Sequence, residues 1–317
     1  MKIRIIFCLF LFSFITKTQC VIILVHGTFA ADEGWCRPGG QFYDELERQA
    51  NKINQSLVPF TWTGGLSHEN RLQGAEALVK VIQSYPKEEK KILIGHSHGG
   101  NVIAIASQLL NPTKGSSELN KIKIPLGNNE EEFPEYIIDR AIFLATPIDM
   151  EDYKPNMSII KYLYNFYSRG DSIQQVFGFY QRLIHDVKRS INFRITMDSS
   201  GGFFNEDPTH SEIHRWIVAK SLLDIPKKLY LQNIHGFEKF DFHQNGKIHF
   251  DENGIPNYKP DKKSAKEREE KEALRANNFI KTIKDTASGE IKPEKITKAL
   301  ENIISPEIII PAFSFYR

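Results

Sequence analysis

Lys91-Ile-Leu-Ile-Gly-His-Ser97-His-Gly-Gly-Asn-Val-Ile-Ala-Ile105 reads as an apolar strand, a tight turn and an apolar helix. The turn, Gly95-His96-Ser97-His98-Gly99, has the pattern of a nucleophile elbow. A strand-to-helix reversal this sharp holds its central serine in a strained backbone conformation and leaves no room for Cβ atoms two residues to either side. The strain lifts the Ser97 hydroxyl clear of the strand ends. The start of the next helix presents unpaired N–H groups and a positive dipole end, which suit an oxyanion forming beside that hydroxyl. The pentapeptide alone is weak evidence; apolar residues before it and Val102, Ile103, Ile105, Ala106, Leu109 and Leu110 after it supply the context the motif requires.

A second stretch agrees independently. Val21-Ile-Ile-Leu-Val-His26-Gly27-Thr28-Phe29 is a continuous apolar run ending in His-Gly, the pattern of a strand buried on both faces of a parallel sheet. Downstream come Trp35, Pro38-Gly-Gly-Gln-Phe42, Phe60-Thr-Trp62-Thr-Gly-Gly65 and Arg71. Together with the elbow, this order resembles the lipase-like serine esterases of the α/β-hydrolase superfamily, over about residues 21–223. The resemblance implies a doubly wound, mostly parallel α/β sheet, hydrolysis of a carboxylic ester and no cofactor. It also implies main-chain N–H groups of Thr28 and His98 as oxyanion donors, the second directly following the nucleophile.

Alternating patterns along the chain fit that architecture. Helices are expected at 41–49 and 71–82, and strands at 58–62, 140–147, 159–166 and 191–197. Residues 111–134, rich in Asn, Gly, Ser, Lys and Glu, read as a polar surface insertion. A helix is expected over 212–223. Beyond 224 the composition changes: Gln244-Asn245-Gly246 is a hairpin signal, 261–276 is a charged helix or linker, and 303–315 is apolar enough to dock on the domain. The expected organisation is therefore a targeting segment over 1–20, a catalytic domain over 21–224 and a small α+β extension over 225–317.

Serine is a poor nucleophile without an imidazole to take its proton, and the imidazole needs a carboxylate to fix its tautomer. Tyr167-Ser-Arg-Gly170-Asp171 follows a strand, at the sheet end where catalytic groups of open α/β folds gather. Pro208-Thr-His210-Ser-Glu-Ile-His214 supplies two histidines. The family pattern selects Ser97, Asp171 and His210 in that chain order. Asp149, after the preceding strand, and Asp152 are rival acids, and His214 is the rival base, expected instead on a helix face. Histidines at i and i+4 can share a metal, but Glu212 stands third between them, unlike the second-position Glu of H-E-x-x-H. A metal held by His96 and His98 would compete with the nucleophile between them, so no metal is called for.

Phe29, Trp35, Trp62, Phe177, Phe179, Tyr180, Phe203 and Phe204 fall in or near loops and can wall an apolar cleft, favouring a small-molecule ester or lipid-like substrate. Peptidases and thioesterases use the same triad, and a catalytically inactive hydrolase fold can act as a binding protein. The net charge of +2 and the lack of a basic, aromatic-rich patch argue against nucleic acid. The three cysteines, Cys8, Cys20 and Cys36, have neither disulfide-framework nor metal spacing. Lys2 and Arg4 precede the apolar run 5–15, too short for a membrane span but right for a signal peptide, with a cut expected ahead of Val21. Export follows, with membrane contact only through that segment or the substrate.

Overall fold

The computed structural model describes residues 20–110, 136–171, 183–184, 187, 189–198, 207–225 and 244–260. The targeting segment up to residue 19, the 111–134 insertion, the 261–276 and 303–315 stretches, and Phe177, Phe179, Tyr180, Phe203 and Phe204 lie outside the described residues.

Eight strands form one sheet: β1 (Cys20–Val25), β2 (Ser56–Phe60), β3 (Lys90–His96), β4 (Ile138–Leu144), β5 (Ile160–Tyr167), β6 (Ser190–Met197), β7 (Gln244–Phe250) and β8 (Pro256–Pro260). Their spatial order is β2-β1-β3-β4-β5-β6-β7-β8, and all pairs are parallel except β7 with β8. β1 is apolar throughout because it is covered on both faces. Ile22 and Leu24 join one core, with α1 (Gln41–Lys52) and α4 (Trp216–Leu222), while Val21, Ile23 and Val25 join the other, with α2 (His68–Gln83) and α3 (His98–Leu110). Helices on both faces of a mostly parallel sheet make the doubly wound architecture expected from the alternating pattern.

Two local expectations are corrected. Gln244-Asn245-Gly246 does not turn; it begins β7, and the reversal falls at residues 251–255, where Asp251 Oδ1 accepts from the N–H groups of Asn253 and Ile255 at 2.9 and 2.7 Å. Gly246 serves close approach instead, since a Cβ there would meet the Tyr258 ring at 2.3 Å. Residues 244–260 extend the edge of the main sheet: β7 pairs along the whole of Ile191–Met197, and Ile248, Phe250 and Tyr258 belong to the core. Finally, the helix expected over 212–223 is broken. Glu212–His214 form a single 3-10 turn, Arg215 is extended (φ −72°, ψ 154°), and α4 begins only at Trp216.

Cys20 is the first residue of β1, paired in register with Lys90 and 3% exposed. A cut ahead of Val21 would leave all but that residue of the strand. Cys20 and Cys36 are buried free thiols, and burial pushes each up to about 11.

Candidate active site

β3 ends at His96 and α3 begins at His98, so Ser97 alone makes the turn, with φ +53°. Left-handed backbone is costly for a residue with a Cβ, and here it is over-determined by contacts. Ser97 N–H donates to Leu144 O on β4 (2.8 Å), and Ser97 O accepts from Gly100 N–H (3.0 Å). A Cβ on Gly95 would lie 2.6 Å from Gly100 N, and one on Gly99 would lie 2.5 Å from the carbonyl oxygens of Val25 and His26. The two glycines therefore let α3 fold back over β3 and press against the end of β1.

The turn after β1 abuts the elbow, because a side chain at Gly27 would meet Ser97 Cβ at 2.9 Å. Phe29 N–H donates to Gly64 O (3.0 Å) and Ala30 N–H to Gly27 O (3.4 Å). The Thr28 N–H, just ahead of them, has no acceptor among the described residues. His26 anchors this turn: its Nε2 accepts from Trp62 N–H (3.0 Å), its carbonyl accepts from Trp62 Nε1 (2.8 Å), and the two rings stack at 5.6 Å. That leaves Nδ1 as the protonated nitrogen, 2.7 Å from Gly27 O, and burial lowers the His26 pKa below its ordinary value. Trp62 and Trp35 are buried scaffold, whereas Phe29 is 68% exposed at the rim in a left-handed conformation (φ +57°).

Asp171, fully buried after β5, accepts a hydrogen bond from His210 Nδ1 at 2.8 Å. The rival acid Asp149 is turned to its own backbone, its Oδ1 accepting from the N–H groups of Glu151 (2.9 Å) and Asp152 (3.2 Å). The loop bearing His210 is tethered at several points. Ser168 Oγ donates to Pro208 O, Arg194 grips Asp207 through both Nε (2.8 Å) and Nη2, and Thr209 N–H donates to Glu212 Oε2 (2.9 Å). The last contact is half of a capping box, legible as Thr209-x-x-Glu212 in the sequence. Arg194 with Asp207 had no comparable local signal, since the pair comes from a strand and a loop.

His214 does not share a ligand position with His210. Its ring stacks on Trp35 at 4.5 Å, and burial, with the neighbouring His210 adding to it, lowers its pKa to about 3. His98 also falls to about 3, through burial and then the positive charge of Arg71; Asn101 Nδ2 lies 3.0 Å from its Nδ1. Arg71 itself is buried, donating to Tyr153 Oη (2.9 and 2.6 Å) and Leu66 O (2.6 Å). His96, weighed in the sequence only as a metal ligand, is 4% exposed, and its Nε2 lies 3.1 Å from His210 O. Among the described residues no three His, Cys, Asp or Glu side chains converge as metal ligands.

No protein-family model and no curated protein matches the chain. Among solved structures it is similar to polyneuridine aldehyde esterase, at 20% identity over 41% of each chain with a TM-score of 0.24. It is also similar to a metagenomic carboxyl esterase, at 10% identity over 57% of this chain and 51% of that one (TM-score 0.28). A third is an acetyl xylan esterase, at 12% identity over 66% and 97% (TM-score 0.37). The chain spans about half or less of the length of the first two. The mostly parallel sheet with helices on both faces and the sharp strand-to-helix turn at Ser97 between β3 and α3 have the arrangement of an α/β-hydrolase fold.

Proposed function

We propose that the protein is a serine hydrolase that cleaves a carboxylic ester through an acyl-enzyme on Ser97. The observation that carries this reading is the 2.8 Å hydrogen bond from His210 Nδ1 to the buried Asp171, on a loop that meets the elbow through His96. With Nδ1–H committed to the carboxylate, the lone pair of His210 is on Nε2, the tautomer a general base needs. In the proposed reaction Nε2 takes the Ser97 proton as Oγ attacks the ester carbonyl. The tetrahedral oxyanion is met by the N–H groups of Thr28 and His98, the imidazolium protonates the departing alkoxide, and water repeats the sequence to free the acid. Phe29, exposed one residue past the Thr28 amide, favours an apolar acyl or alcohol group at the rim.

A fluorophosphonate probe with p-nitrophenyl butyrate as substrate tests the reading. Stoichiometric labelling of Ser97 and hydrolysis that disappears in Ser97→Ala are expected. Full esterase activity in Ser97→Ala, or a wild-type protein inert to the probe, would overturn it, the latter in favour of an inactive binding fold.

A further inference from the structure

His96 lies between the two halves of the site. Its Nε2 is 3.1 Å from the main-chain oxygen of His210, 114 residues away in sequence. A carbonyl only accepts, so His96 carries its proton on Nε2 and keeps a bare lone pair on Nδ1. That Nδ1 is buried without a partner among the described residues, an arrangement that costs free energy and is not expected of a residue chosen for packing alone. Aromatic rings surround it: His210 at 4.8 Å, His214 at 4.7 Å and Trp35 at 5.2 Å, the last two edge-to-face. Burial, more than its histidine neighbours, keeps His96 neutral, so no second cation competes with an imidazolium forming on His210.

Resting on the reading of Ser97 as nucleophile and His210 as base, we infer that His96 is a positioning residue: its Nε2–H ties the main chain at His210 to the elbow and so fixes the base relative to the hydroxyl it serves. Asp171 holds the His210 ring by one edge, and the His96 bond holds its backbone. Neither substitutes for the other: the tethers at Asp207, Pro208 and Thr209 hold the chain ahead of His210, whereas the His96 bond acts on the His210 carbonyl itself.

The test uses the full-length protein with His96→Gln, His96→Asn and His96→Leu, following phosphonylation by the fluorophosphonate and hydrolysis of p-nitrophenyl butyrate. Gln places an amide N–H near the histidine Nε2 position; Asn, one methylene shorter, does not reach it. Asn and Leu are expected to lower the phosphonylation rate and kcat about tenfold to a hundredfold, with KM changed by less than about threefold, and Gln to stay within about threefold of wild type. Asn and Leu both within threefold of wild type would overturn the inference, as would Gln failing as badly as Leu with an unchanged melting temperature. In ¹⁵N-histidine-labelled wild-type protein His96 should resonate as the neutral Nε2–H tautomer; the Nδ1–H form would overturn the proposal even if the variants do not fold. Failure of the wild type to react with the probe would sink the hydrolase reading itself, a result distinct from any ranking of the variants.

Discussion

Asp171 is fully buried, and its carboxylate is spent on His210, which makes it the residue where a minimal change is most informative. Asp171→Asn keeps the shape but presents an amide that favours the wrong imidazole tautomer. Its kcat should fall about 10³- to 10⁴-fold, as loss of the orienting carboxylate does in other triads. Asp149→Asn should stay within about threefold, because an amide oxygen can still accept from Glu151 and Asp152 N–H. Equal loss in the two variants would return the choice of acid to Asp149. His214 is informative for a different reason. Its folded pKa of about 3, like that of His98, lies below the ordinary 6.5, so between those values the unfolded chain binds protons that the folded chain refuses. Stability is therefore full above pH 6.5 and is lost as pH falls, by up to about 1.4 kcal/mol per pH unit for each such histidine. His214→Phe, which keeps a ring on Trp35, should flatten the slope between about pH 4 and 6 by that amount in urea titrations. An unchanged slope would mean that His214 is not held neutral by the fold.

At the level of elements, β6 and the loop leading to His210 are joined by Arg194 and Asp207, whose side chains are 18% and 4% exposed. Arg194→Met leaves a buried carboxylate without its cation, and should cost about 2 kcal/mol, below the range for fully buried pairs because Arg194 retains some solvent. Since Asp207 is three residues from His210, kcat should fall as well. Arg194→Met with Asp207→Leu should recover stability without recovering kcat, and recovery of both would make the pair purely structural. Such cross-element contacts were not legible in the sequence. The elbow was, because its glycines and flanking apolar runs are local, and so was β1, an unbroken apolar run. The Asn245-Gly246 signal misled because a glycine that admits the Tyr258 ring looks the same in sequence as one that makes a turn. The helix expected at 212–223 failed at Arg215, where nothing local announces the extended backbone. The contact of His96 with His210 was not legible because the partner is a backbone oxygen far along the chain, and backbone oxygens leave no trace in sequence.

Across the whole molecule, the site is divided by chain order. The elbow and the Thr28 turn are built from β1, β2, β3 and α3, all within residues 20–110, with β4 adding the Leu144 carbonyl under Ser97. The proposed base His210 and acid Asp171 come from beyond residue 170, and the His210 main chain meets the elbow through a contact spanning 114 positions. On the proposed mechanism, the segment bearing the serine therefore leaves the ribosome well before the histidine assigned to activate it, and domains begin to fold as they emerge. A nascent chain would then hold a formed but chemically idle hydroxyl until its second half arrives. The same delay should appear in a test tube: on dilution from denaturant, phosphonate labelling should lag behind the recovery of far-ultraviolet ellipticity, since long-range contacts close last. Labelling that kept pace with ellipticity would mean that the two halves assemble together, and the growing chain would be armed as soon as it folds.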